Sequence, residues 1–193
     1  GLAFLSKYFA LLMGFAYLVF VLIQPAGRRS WRGLATVVAC ALPFAAYNAW
    51  WNYEHCWANL MFNIYNRHDD AGWSLQKPLL YALSVLYMLS PVALYQLWLG
   101  RIALGPKLAD PRARFFMLAW MAPLAVFALL SPVKQIGLHW LLSFVPFFFI
   151  GAALVLTREQ LRSSVVFLGL FSLLHVALIL AASAFPLEQW KSA

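Results

Sequence analysis

Residues 165–185 read VVFLGLFSLLHVALILAASAF, a run that contains no Asp, Glu, Lys or Arg. A helix needs about 20 predominantly apolar residues to cross the hydrocarbon core of a bilayer. The run is therefore predicted to be a transmembrane helix. His175 lies alone within it, and we expect its imidazole to form a hydrogen bond to a neighbouring helix rather than to bind a ligand.

Five further apolar runs precede this one. Of the 193 residues, 64% are hydrophobic and 10% are charged, whereas soluble domains carry about 25% charged residues. A soluble fold of this size could not cover so much apolar surface, so the composition predicts an all-α, polytopic transmembrane helix bundle. We expect a single transmembrane region, part of a longer protein, with about six spans at residues 2–23, 34–51, 78–99, 115–131, 139–157 and 165–185.

Three connections between these spans carry most of the positive charge. Nine of the 14 Lys and Arg residues lie in Gly27–Gly33, Gly100–Arg114 and Arg158–Ser164. Because cytoplasmic loops carry an excess of Lys and Arg, these connections are predicted to be cytoplasmic and both ends of the chain to lie outside. We expect a multi-pass protein of the bacterial inner membrane. The net charge of +8 then reflects topology, and nucleic acid is not an expected partner.

The longest outer connection, residues 52–77, is rich in aromatic and amide side chains. Its apolar residues recur at helical spacing, and amides and His55 recur on another face. This pattern predicts an amphipathic helix that lies in the membrane interface with its aromatic side down. The apolar set is Tyr53, Trp57, Leu60, Met61 and Ile64 together with Trp50 just before the connection, and the polar set is Asn52, His55, Asn59, Asn63 and Asn66.

Two outer lysines are candidates for a ligand site. Lys7 lies near the outer end of the first span, where a lysine either faces a partner or a water-filled cavity or extends its ammonium to the interface. Lys134 lies in the short outer loop that leads to His139 and Trp140. A lysine ammonium binds phosphate well, although Lys134 and His139 also fit ordinary interfacial positions.

A polar run in the long outer connection is a second candidate. It consists of Arg67, His68, Asp69 and Asp70, which form either part of a site or a solvated turn. Adjacent aspartates are a weak signal for a general base or a metal ligand. No Cys and His spacing is typical of zinc, and neither a metal site nor a cofactor is predicted.

These outer cations and amides lie beside tryptophans, a combination that favours an anionic ligand reached from the bilayer. A lipid phosphate fits, because cations would bind its head group and apolar grooves its tail.

Several stretches of the chain resemble one enzyme family. The first is Gly1-Leu2-Ala3-Phe4-Leu5-Ser6-Lys7-Tyr8, followed by an apolar span that ends in Arg28-Arg29. The later ones are Ala41-Leu42-Pro43-Phe44 with Tyr47-Asn48, and Lys134 followed by His139-Trp140 and Pro146. In their order and spacing they are similar to polyprenyl-phosphate-sugar-dependent glycosyltransferases of the GT-C type, which include protein O-mannosyltransferases and the lipid A aminoarabinose transferase.

The resemblance implies an inverting transfer of sugar from a polyprenyl-phosphate donor to a lipid, glycan or protein acceptor on the non-cytoplasmic side. It implies that Lys7 and Lys134, joined by Arg67, His68 or His139, bind the donor phosphate. The family's general base comes from an early outer loop that has no counterpart here, so the base is expected upstream of this chain, with Asp69 or Asp70 as weaker candidates. Two alternatives stay open: a transporter or flippase for a lipid-linked anionic substrate, and a non-catalytic membrane subunit.

Overall fold

The structure is a computed structural model that describes residues 1–6, 8–62 and 72–184, apart from the side chains of Phe4 and Ser6. Within these ranges every regular element is helical. The α-helices are α1 (Leu2–Ser6), α2 (Leu11–Ile23), α3 (Trp31–Glu54), α4 (Ala58–Met61), α5 (Gln76–Leu89), α6 (Pro91–Leu99), α7 (Arg101–Lys107), α8 (Pro111–Leu130), α9 (Leu138–Leu141), α10 (Val145–Val155) and α11 (Arg158–Ser183).

The three longest helices begin at side-chain caps. Ser30 Oγ accepts a hydrogen bond from the backbone N–H of Gly33 before α3, and Asp110 accepts one from Arg112 before α8. Thr157 and Gln160 form a reciprocal capping box at the start of α11. Such caps satisfy backbone N–H groups that the first helical turn leaves unpaired. The predicted connection Arg158–Ser164 is therefore not a loop, because α11 already begins at Arg158.

Three helices in the described part are long and apolar enough to cross a membrane, namely α3, α8 and α11. A fourth span is possible if α5 and α6 count as one, although they meet at an angle of 88°. The segments Tyr8–Ile23 and Val145–Val155 are apolar but shorter. The all-helical prediction is thus confirmed for the described residues, three of whose helices could span a membrane, whereas the prediction of six spans is not confirmed.

The predicted third span, 78–99, breaks at Ser90. This residue is fully buried and has a positive φ of 66°, and its Oγ accepts a hydrogen bond from the N–H of Ala93 at 3.4 Å. Pro91 follows, and a proline disfavours helical geometry in the residue before it. Ser90 therefore ends α5 and caps α6, which leaves in a new direction.

The prediction of a continuous interfacial helix after residue 50 is wrong. Helix α3 runs on to Glu54 and then ends, because Cys56 (φ 51°) and Trp57 (φ 57°) adopt left-handed backbone conformations. The N–H of Trp57 donates to the carbonyl of Asn52 at 2.7 Å, the 6→1 hydrogen bond of a Schellman cap. Only the single turn α4 follows, and the remainder of the predicted helix, residues 63–66, lies outside the described residues.

The core forms where α8 packs along both α2 and α10. Small residues let α10 approach closely, since a Cβ on Gly151 would lie 3.0 Å from Met117 Sδ and 3.3 Å from its backbone nitrogen. The aromatic rings of Phe127, Phe144 and Phe148 fill the interior and are at most 1% exposed. In contrast, no residue in the apolar stretches of α3 and α11 is buried, so these two helices present their apolar side chains outward.

The core helices join two ends of the molecule. At one, here called the Arg114 end, Arg114 donates to the carbonyl of Leu108 at 2.9 Å and to Gln24 Oε1 at 3.4 Å. Arg29 donates to the Gln24 carbonyl at 3.0 Å, and Lys107 donates to that of Val155. Two of the predicted cytoplasmic connections thus meet here, beside the segment that leads into α11. The candidate site lies at the opposite end, here called the Trp140 end.

Candidate functional site

Lys134 lies in the loop that follows α8, and its ammonium nitrogen is 5.6 Å from the ring centroid of Trp140. Trp140 is 7% exposed, and its ring lies 4.6 Å from that of Phe9 and 6.0 Å from that of Phe127. A cation within about 6 Å of an aromatic ring is attracted to its face. Lys134, a half-buried residue, thereby has its ammonium group at the edge of the aromatic core.

Lys77 anchors the loop that carries Lys134. Its ammonium donates to the carbonyls of Gly72 and Val133 at 2.8 and 2.9 Å. The backbone N–H of Ser74 also donates to the carbonyl of Pro132 at 3.0 Å. These contacts join the start of α5 to the residues directly before Lys134. The sequence offered no signal for this role, because Lys77 looks like any other interfacial lysine.

A chain of hydrogen bonds joins α3 and α4 to Tyr8, in the 3₁₀ turn that follows α1, at the same end. Asn59 Nδ2 donates to the hydroxyl of Tyr8 at 3.0 Å, and that hydroxyl donates to Asn48 Oδ1 at 3.3 Å. Asn52 Nδ2 donates to the same oxygen at 3.2 Å and to the Asn48 carbonyl at 2.8 Å. Two donors on Asn48 Oδ1 fix the orientation of this amide, so its Nδ2 group points away from both.

An open pocket of about 260 Å³ borders this network. The described residues that line it are Leu5, Tyr47, Asn48, Trp51 and Asn59, all of which are uncharged. Asn52 is the buried member of the network, 1% exposed, and its Oδ1 has no hydrogen-bond partner among the described residues. The half-buried amides of Asn48 and Asn59 are held by hydrogen bonds within the network and form a polar wall of the pocket.

The 3₁₀ turn Tyr8–Ala10 joins the pocket to Lys134. Tyr8 contributes to the amide network on one side, and the adjacent Phe9 packs on Trp140 on the other. Consecutive Cα atoms are about 3.8 Å apart. The pocket and the Lys134–Trp140 pair therefore flank a single turn of the backbone.

The predicted site residues are described in part. Lys134 and His139 both lie at the Trp140 end, where the exposed His139 ring is 5.9 Å from that of Trp140. Five others, Lys7, Arg67, His68, Asp69 and Asp70, lie outside the described residues, and their place in a site stays a prediction. His175 was expected to join helices, and its Nε2 lies 2.8 Å from the hydroxyl of Tyr87 on α5.

Sequence reasoning missed the amide network as a unit. Asn48 and Asn52 stand at i and i+4 in an apolar and aromatic helix, a spacing that places both on one face. That repeat is the available signal, whereas the aromatic and amide pattern around Asn52 predicts an interfacial helix. Glu54 was also passed over, although it is the one described carboxylate at the Trp140 end, since Asp110 and Glu159 lie near the starts of α8 and α11.

The arrangement can bind an anion through Lys134 and an uncharged polar group through the amide pocket. Among the described residues no group of three or more His, Cys, Asp or Glu side chains could hold a metal ion. No protein-family model, no curated protein and no solved structure matches this chain.

Proposed function

We propose that this chain is the donor-binding part of a GT-C-type membrane glycosyltransferase, which moves a sugar from a polyprenyl-phosphate donor to an acceptor on the non-cytoplasmic face. The observation that carries the proposal is the Lys134 ammonium, held 5.6 Å from the Trp140 ring at the edge of an aromatic core. A lipid phosphate has the matching chemistry, with an anionic head group on an apolar tail.

In the proposed reaction an acceptor hydroxyl attacks the anomeric carbon of the donor sugar. The bond from that carbon to the phosphate oxygen breaks, and its electron pair stays on the phosphate. Lys134 stabilises the negative charge that develops there, which is the electrostatic part of catalysis. A carboxylate accepts the proton of the acceptor hydroxyl, and we leave this base outside the described residues, with Asp69 and Asp70 as the candidates within this chain.

The test is binding of polyprenyl phosphate to the purified protein in phospholipid nanodiscs, compared with uncharged polyprenol. We expect Lys134→Ala to weaken phosphate binding by about tenfold or more, because a charge-assisted hydrogen bond is lost. Polyprenol binding should not change. The matched control is Arg101→Ala, which removes another cation from a tryptophan ring, since Arg101 lies 4.5 Å from Trp98. Equal affinity of wild type and Lys134→Ala for the phosphate would remove Lys134 from the site.

A second candidate function, transport of a lipid-linked anion, is favoured by the break at Ser90. Transporters commonly use interrupted helices at their substrate sites, and α5 and α6 meet at 88° around a buried serine. An assay with the same purified protein in liposomes discriminates between the two functions. Movement of a labelled anionic lipid between leaflets without any sugar acceptor would favour transport over transfer.

A further inference from the structure

The described lining of the amide pocket at the Trp140 end offers hydrogen-bond donors and carries no charge. Asn48 lines it, and its Oδ1 already accepts from Tyr8 and Asn52. Its Nδ2 donates no hydrogen bond to any described residue. The pocket therefore presents amide N–H groups to a ligand that carries acceptor oxygens but needs no counter-charge.

Aromatic rings form the other wall of the pocket. Tyr47 and Trp51 both line it and are 53% and 36% exposed. The imidazole of His55 stacks on Trp51 with 4.0 Å between ring centroids and 13° between planes, so one face of the indole is already covered and the ring is held in place. A fixed aromatic surface beside amides suits a ligand with an apolar face and a polar rim.

We infer that this pocket binds a neutral pyranose ring. Such a ring has C–H groups on its faces, which pack on Tyr47 and Trp51, and hydroxyls on its rim, which accept from Asn48. A phosphate fits less well because none of the described residues that line the pocket is a cation. That this ring is the sugar of the lipid-linked donor rests on the proposed function, in which Lys134, on the other side of the turn Tyr8–Ala10, binds the phosphate of the same donor. Sugar binding itself does not depend on it.

The experiment uses the protein in phospholipid nanodiscs, because detergents with sugar head groups would compete for the pocket. The probes are methyl glycosides of common hexoses, with glycerol as the acyclic polyol control, and the readout is saturation transfer from protein to ligand protons in NMR. We expect transfer to the ring C–H protons for at least one glycoside. Affinity should fall at least about fivefold in Trp51→Leu, and glycerol should give no comparable signal.

Trp98→Leu is the matched control, because Trp98 is 58% exposed and lies on α6 near Arg101, away from the pocket. Tyr47→Leu provides a second variant on the exposed wall in case Trp51→Leu disturbs folding, which far-ultraviolet circular dichroism would show. No glycoside signal, or a signal equally reduced by Trp98→Leu, would overturn the inference. Sugar binding that persists when Lys134→Ala has no effect on polyprenyl phosphate would retain the pocket and reject the proposed donor site.

Discussion

At the residue scale, the hydroxyl of Tyr8 is the group on which the polar network depends. It accepts from Asn59 and donates to Asn48, and thereby connects α4 to α3 through the turn that follows α1. Each bond taken alone is worth about 0.5–1.5 kcal/mol. Its position between two amides gives it a larger effect, because its loss leaves both without that partner.

We predict that Tyr8→Phe lowers the free energy of unfolding by about 1–2 kcal/mol, since two hydrogen bonds are removed while the ring is kept. The measurement is the thermal unfolding midpoint of the purified protein in one fixed detergent. Tyr95→Phe is the control, because Tyr95 is 57% exposed on α6 and its hydroxyl makes no hydrogen bond to a described residue. Equal midpoints for Tyr8→Phe and wild type would show that the network contributes nothing to stability.

At the element scale, composition predicted the long helices and failed at their breaks. Helices α3, α8 and α11 contain apolar stretches that are long enough to be identified from the sequence alone. The end of α3 could not be predicted, because a Schellman cap normally uses glycine and here Cys56 takes the left-handed position. At Ser90 the following Pro91 is a local signal for a helix boundary, but the burial and the positive φ of the serine depend on the surrounding packing.

The contact between α8 and α10 depends on a glycine in the same way. A side chain on Gly151 would meet Met117 Sδ at 3.0 Å and backbone atoms of Met117 and Phe116 at 3.3 and 3.4 Å. The backbone of α8 cannot move aside as the end of a flexible side chain could. Close approach through small residues is a common basis of helix association in membranes.

We predict that Gly151→Val destabilises the protein by about 1–3 kcal/mol, because it overpacks this contact. Gly169→Val on α11 is the matched control, since a Cβ there would meet nothing within 4 Å. Thermal unfolding in detergent compares the two variants. A midpoint for Gly151→Val as high as that of Gly169→Val would mean that α8 and α10 separate readily, contrary to the packing described.

At the scale of the whole molecule, the contacts between loops define two ends of the molecule, although the lengths of the helices do not settle how many of them span a membrane. The segment Tyr8–Ile23 runs from the ring of Trp140, which Phe9 contacts, to Gln24 beside Arg114. Helix α8 runs back, from Arg114 to the loop that holds Lys134. The sequence predicted this separation from charge alone, because the Lys and Arg residues cluster in three connections. It could not predict the exact helix lengths, which depend on where the core interrupts each apolar run.

The last prediction concerns which end faces the cytoplasm. If the excess of Lys and Arg sets the orientation, the Arg114 end is cytoplasmic and the Trp140 end faces outward, as the proposed function requires. Cys56 is a native probe of the Trp140 end, because it is exposed and lies beside the network of Asn52 and Asn59. We expect a membrane-impermeant maleimide to label Cys56 in intact spheroplasts of a Cys40→Ala protein.

A cysteine at Arg112, placed in a protein without native cysteines, reports on the opposite end. Arg112 is exposed in the first turn of α8, at the Arg114 end. Arg112→Cys should therefore react with the maleimide, but only after the membrane is permeabilised, because this end is expected to face the cytoplasm. The expected result is therefore complementary labelling of the two positions. Reversed labelling would place Lys134 and the amide pocket on the cytoplasmic side, where sugar transfer on the non-cytoplasmic face could not occur. Labelling of both positions in intact cells would mean that the two ends do not lie on opposite sides of a bilayer.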